Sequence, residues 1–284
     1  MELFYDKKTG YDKLDKTACM DYAEGYKAFL DEGKTERDAV EAIVRMAEAK
    51  GYKAFVRGME VKPGDKFYQV NRYKGVILAH IGRASLADGV RLTAAHLDAP
   101  RIDIRTVPLY EQDGMAYFKT HYYGGIKKYH WLAIPLELRG VVCVCQDGKV
   151  KRVPVHVGNK PGDPKFVITD LLPHLAGEQM GKKATEVIKA ENMNVLLGSF
   201  PSENTKDGDK DRVKQAILEY LNAEYGMTEA DFLSAELSCV PAFNACDIGF
   251  DRSLIGAYGH DDRVCSYYNW VRSERARETR EQKD

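Results

Sequence analysis

Two short segments carry the residue types and spacings that could do metal chemistry. His96-x-Asp98 sits in Thr93-Ala94-Ala95-His96-Leu97-Asp98-Ala99-Pro100. A neutral imidazole can hold a zinc ion, and a carboxylate two residues on can orient and polarise that imidazole. A hydrogen-bonded core histidine is the alternative. The second segment is His260-Asp261-Asp262-Arg263. A carboxylate at a helix start is well placed for a cation, and a shared carboxylate can bridge two metal ions. The alternative is a plain cap, with Asp262 in the positively polarised first turn. His174, in Asp170-Leu171-Leu172-Pro173-His174-Leu175, reads locally as a surface histidine. His80 and His156 lie in apolar strand-like runs and read as structural. Cys143-x-Cys145 would share one strand face, and buried core thiols are expected there rather than a metal clip. Walker loops, GxGxxG after a strand, GxSxG and HExxH are absent from the sequence.

The elements that must position these residues come next. Thr35 can cap a helix with Asp38 as its reciprocal partner, and Val40, Ile43, Val44 and Ala47 follow at helical spacing before Gly51. Two apolar strand-like runs are expected, Val76–Ile81 and Val90–Ala95, and the second delivers His96 at its C-terminal end. Open α/β sheets place ligand sites at such strand ends. From Thr106 to Val157 the chain is strand-like and broken by turns, including Gln112-Asp113-Gly114 and Gln146-Asp147-Gly148, the latter inside a hairpin. Helical segments are expected at about 168–190 and 208–225, with an exposed loop at 199–211 between them. Strand character returns at Phe232–Val240, and a helix is expected from Arg263 to about Val271. The residues after Arg272 are so highly charged that they read as a solvated helix end or a disordered terminus. These features predict an α/β domain in two segments, 1–106 and 232–284, interrupted by an inserted domain at 107–231.

Composition bounds the function class. The chain has 284 residues, 44% hydrophobic and 30% charged, which is a globular balance. The 42 basic and 43 acidic residues nearly cancel, which argues against nucleic-acid binding by counterion release. No apolar run approaches the roughly 18 residues a membrane span needs. Residues 1–6 show no signal peptide, and the six scattered cysteines read as reduced thiols, so a cytoplasmic protein is expected.

In this order, the motifs resemble the aspartyl aminopeptidase / vacuolar aminopeptidase I family of dinuclear zinc exopeptidases. Thr93–Pro100 resembles the family's AHxDxP segment, and Leu254–Arg263 resembles its second metal segment. Tyr123-Gly124-Gly125 with Trp131, Ile168–Leu175, Leu196-Leu197-Gly198 and Glu236-Leu237-Ser238 fit the same pattern. The likeness runs to about residue 270. It implies a zinc-peptidase α/β/α globular domain with an inserted β-rich dimerisation domain, two zinc ions, peptide substrates and a homo-oligomer. By that resemblance His96 is a zinc ligand, Asp98 orients it, Asp261 bridges both zincs, and His174 reaches the active site of a neighbouring subunit. The family's next segments carry a Glu-Glu pair, one glutamate serving as general base, followed by further ligands. The sequence contains no Glu-Glu dipeptide. The resemblance therefore implies a C-terminally incomplete form with little activity of its own. The alternative is a non-catalytic paralogue or assembly subunit of the same family.

Overall fold

The computed structural model describes residues 10–281, leaving outside that description the side chains of Tyr11 and of residues 272–281. The signal-peptide reading of residues 1–6 lies outside the described residues. In chain order the elements are α1 (Lys16–Glu32), α2 (Glu36–Ala49), β1 (Lys53–Ala54), β2 (Lys66–Asn71), β3 (Gly75–His80), β4 (Arg101–Gln112), β5 (Met115–Tyr123), β6 (Leu136–Gln146), β7 (Lys149–Val157), α3 (Gly177–Met180), β8 (Val195–Gly198), α4 (Arg212–Tyr225), β9 (Glu236–Pro241), β10 (Cys246–Ile248), β11 (Leu254–Gly256) and α5 (His260–Glu281). They form two compact units: the described residues up to Asp98 together with those from Asn244, and Ala99–Phe243.

In the first unit α2 begins where its cap dictates. The Asp38 N–H donates to Thr35 Oγ1 at 3.2 Å, and the Thr35 N–H donates to the Asp38 carboxylate at 3.2 Å. This reciprocal cap stabilises the helix by about 1 kcal/mol. Ala39, Val40, Ile43 and Ala47 then face inward. A helix that the sequence analysis did not anticipate, α1, precedes it. Asp15 caps α1 by accepting from the Ala18 N–H at 3.2 Å, and Tyr26, Phe29 and Leu30 are its buried face. They pack on Tyr267 and Trp270 of α5, with Tyr26–Tyr267 and Phe29–Tyr267 ring centroids 5.4 and 5.5 Å apart. Gly25 makes that approach possible, because a Cβ there would lie 2.4 Å from Tyr267 Oη. A small sheet, β1-β2-β3, lines up beside the helices, with β2 and β3 antiparallel.

Two expectations for this unit are corrected. Val90–Ala95 forms no strand. From Gly89 to Pro100 the chain has neither helix nor strand, and Val90 and Leu92 are 73% and 84% exposed. A strand needs a ladder partner, and among the described residues nothing pairs with this run, so β-propensity alone does not form it. His96 is thus carried by an irregular segment, not by a strand end. The last helix starts earlier and ends later than expected, spanning His260–Glu281.

The second unit is a six-stranded sheet in the order β7-β6-β9-β4-β5-β8, with every neighbouring pair antiparallel. Its hairpins turn where Asp-Gly pairs fall. Asp113-Gly114 and Asp147-Gly148 all have positive φ, the backbone a two-residue hairpin of matching twist requires. At the β6–β9 crossing Gly140 has φ +145, and a Cβ there would meet the Glu236 carbonyl at 1.9 Å. Set beside the expected insert of 107–231, this unit extends further at both ends, because β4 and β9 pair within its sheet. The helix expected over 168–190 is reduced to the four residues of α3. Pro173, Gly177 and Gly181 break the run. The thiols of Cys143 and Cys145 are not core groups. Strand alternation turns Val142 and Val144 inward, leaving Cys143 partly exposed and Cys145 exposed.

Candidate metal centre

The centre is built around the first turn of α5. His260 opens the helix and is fully engaged. Its Nε2 lies 3.0 Å from the Ile255 carbonyl, and its Nδ1 lies 3.1 Å from Tyr26 Oη. With Nε2–H donating to the carbonyl, Nδ1 accepts from the tyrosine hydroxyl, and no lone pair is left for a cation. Burial, with Tyr22 nearby, pushes the Tyr26 hydroxyl up to about 12, so it stays a donor. Asp261 and Asp262 follow in the positively polarised first turn. Asp261 is exposed and Asp262 buried. Burial raises the Asp262 carboxyl above the usual range, against the opposing pull of Arg263 and His96.

His96 comes to these carboxylates from the irregular 89–100 segment. Its Nδ1 lies 3.2 Å from the Asp98 carbonyl, 3.5 Å from the Asp98 carboxylate and 3.8 Å from the Asp262 carboxylate. With Nδ1–H donating to the Asp98 carbonyl, Nε2 keeps its lone pair for a metal. Ligand atoms of His96, Asp261 and Asp262 all lie within 4.8 Å of one another. Zinc takes nitrogen and oxygen ligands at roughly 2.0–2.2 Å, which spaces tetrahedral neighbours about 3.4 Å apart. One imidazole and two carboxylates are donor types that zinc takes, and their separation is of the order its tetrahedral spacing needs.

Arg263 joins the pieces. It is 1% exposed. Its Nε donates to the Gly33 carbonyl, and its Nη1 donates to the carbonyls of Leu97 at 2.7 Å and Asp262 at 3.3 Å. Its Nη2 is buried with no hydrogen-bond partner among the described residues. A donor left bare in this way costs about 1–3 kcal/mol.

The structure thus brings His96, Asp261 and Asp262 together and sets Asp98 against His96. His174 belongs to the other unit, exposed in a turn after β7. Sequence reasoning treated Asp262 as a cap and did not single out Arg263. Adjacent aspartates at a helix start were the available signal for the first. For the second, the His260–Arg263 segment marked its position but not its role, because its partners, Gly33 and Leu97, are distant in sequence.

The family model for aminopeptidase I zinc metalloproteases (M18) matches residues 29–279. The chain belongs to the M18 aminopeptidase family. A probable M18 family aminopeptidase 1 of Clostridium acetobutylicum is 44% identical over 274 residues, covering 94% of this chain and 58% of the relative. The crystal structure of the M18 aminopeptidase from Thermotoga maritima superposes with a TM-score of 0.86 at 41% identity, covering 94% of this chain and 57% of that one. The S. cerevisiae mApe1 dodecamer matches with a TM-score of 0.62 at 16% identity, a likeness of fold alone. This M18 chain therefore spans somewhat more than half the length of the relatives it matches. Among its described residues, no helix is long and apolar enough to cross a membrane.

Proposed function

We propose that this chain carries the first metal-binding half of a zinc-dependent aminopeptidase that hydrolyses N-terminal peptide bonds. The observation that carries the reading is the convergence of His96, Asp261 and Asp262 on one point. Zinc held there would polarise a scissile carbonyl and lower the pKa of a water. The chain's own residues have separable tasks. His96 presents a nitrogen lone pair. Asp98 fixes the imidazole through its carbonyl and carboxylate. Asp261, the more exposed carboxylate, would be the one to bridge two ions. Asp262 adds buried negative charge beside it. His174, exposed on the other unit, fits a residue lent to a neighbouring subunit's substrate site, where it would steady developing negative charge.

Residues 99–243 are read as the dimerisation domain, and the assembly as a homo-oligomer. Exposed apolar side chains on that unit support this, among them Leu172, Leu175 and Phe200. The six free cysteines fit a reducing cytoplasm.

Three ligand residues are too few for two zincs, each of which takes about four ligands. The ligand set found among the described residues is therefore partial, and little activity is expected of the chain by itself. A second reading, a non-catalytic assembly subunit, is favoured by that same short ligand set. Zinc content after gel filtration separates the two. Bound zinc that disappears in His96→Ala supports the peptidase reading, whereas a zinc-free oligomer supports the assembly reading.

A further inference from the structure

This inference rests on the metal-site reading above. The segment carrying His96 has no helix or strand of its own between Gly89 and Pro100. Something must nevertheless hold His96 at its distance from the α5 carboxylates. Arg263 is placed to do so. One guanidinium bonds the Gly33 carbonyl at the end of α1, the Asp262 carbonyl on α5, and the Leu97 carbonyl between His96 and Asp98.

We propose that Arg263 is a positioning residue of the metal site, fixing the separation of His96 from Asp261 and Asp262 through the Leu97 carbonyl. Stability alone is a poor explanation for it. A buried charge is costly unless every donor is satisfied, and a well-packed apolar side chain is often as good or better. Here Nη2 has no partner among the described residues, so the cost is carried at the point where the two ligand segments meet. The planar fork also matters, because it reaches carbonyls in different directions from one rigid group, which a lysine ammonium cannot do.

The test is a Co²⁺ titration of the purified 284-residue protein, read by visible absorption, with far-UV circular dichroism to verify folding. Wild type and His96→Ala decide the metal reading by themselves. If wild type binds no cobalt, or His96→Ala binds as tightly as wild type, that reading fails and this proposal falls with it. With that reading upheld, folded Arg263→Lys should bind Co²⁺ roughly tenfold to hundredfold more weakly, with a shifted absorption band. Wild-type affinity and spectrum in Arg263→Lys would overturn the proposal while leaving the metal site intact. Should Arg263→Lys not fold, ¹⁵N NMR of the wild type under Zn²⁺ titration decides. The Arg263 Nε–H signal should move with the same midpoint as the His96 ring nitrogens, and a stationary Arg263 signal would overturn the proposal.

Discussion

Arg263 Nη1 donates to the Leu97 carbonyl at 2.7 Å across 166 residues of sequence. The bond joins the helix that carries two carboxylates to the segment that carries the imidazole. The candidate metal centre is therefore a tertiary construction, tied together by one side chain. Arg263→Met should lower unfolding free energy by only about 1–2 kcal/mol, since three hydrogen bonds to backbone carbonyls are lost while an incompletely satisfied buried charge is relieved. Urea denaturation measures it.

Gly25 and Tyr267 form a second such dependence. Gly25→Ala should destabilise by about 1–3 kcal/mol, because the new Cβ meets Tyr267 Oη. In a Tyr267→Phe background the obstructing oxygen is gone. There the same change should be neutral or stabilising by up to about 1 kcal/mol, the ordinary gain of alanine over glycine inside a helix. A double-mutant cycle in urea gives both values, and equal effects in the two backgrounds would contradict the packing described.

The exposed run at Val90–Ala95 makes the opposite prediction. A core strand residue would cost several kcal/mol to truncate. Leu92, 84% exposed, should change stability by no more than about 0.5 kcal/mol in Leu92→Ser. A loss above 2 kcal/mol, which is in the range of a buried leucine, would mean the segment is packed in solution.

Acid sensitivity should pass through Asp247. Hydrogen bonds from Lys27 at 2.7 Å and Arg252 at 2.6 Å hold its carboxyl below the usual carboxylate range. A depressed value in the folded state means a contribution that is present above the ordinary carboxylate pKa of about 4 and is lost as pH falls through the lower folded value. Asp247→Asn should thus lower Tm at neutral pH and flatten the decline in Tm below about pH 4. Parallel Tm–pH curves for the two proteins would count against this role.

What the sequence made legible follows from the range of each interaction. The α2 cap and the Asp113-Gly114 and Asp147-Gly148 turns are set by neighbours a few residues apart, so local reasoning finds them. The Val90–Ala95 run has strand composition but no ladder partner, and composition cannot reveal that. Aromatic residues around Gly25 hid α1, whose helical face is defined by Tyr267 far along the chain. Local spacing flagged His96-x-Asp98 and Asp261-Asp262 separately. The resemblance to a zinc peptidase family joined them, and the structure added that Asp262 stands with them. The positions of Cys143 and Cys145 turned on which face of β6 meets the core, which only the packed sheet decides.

The most direct test is zinc content per chain, measured on protein purified by gel filtration in trace zinc, for wild type and for His96→Ala and Asp261→Ala. The account predicts about one zinc or more per wild-type chain and its loss in both variants, with circular dichroism unchanged. Zinc-free wild type, or variants that keep their zinc, would contradict a metal centre at His96, Asp261 and Asp262.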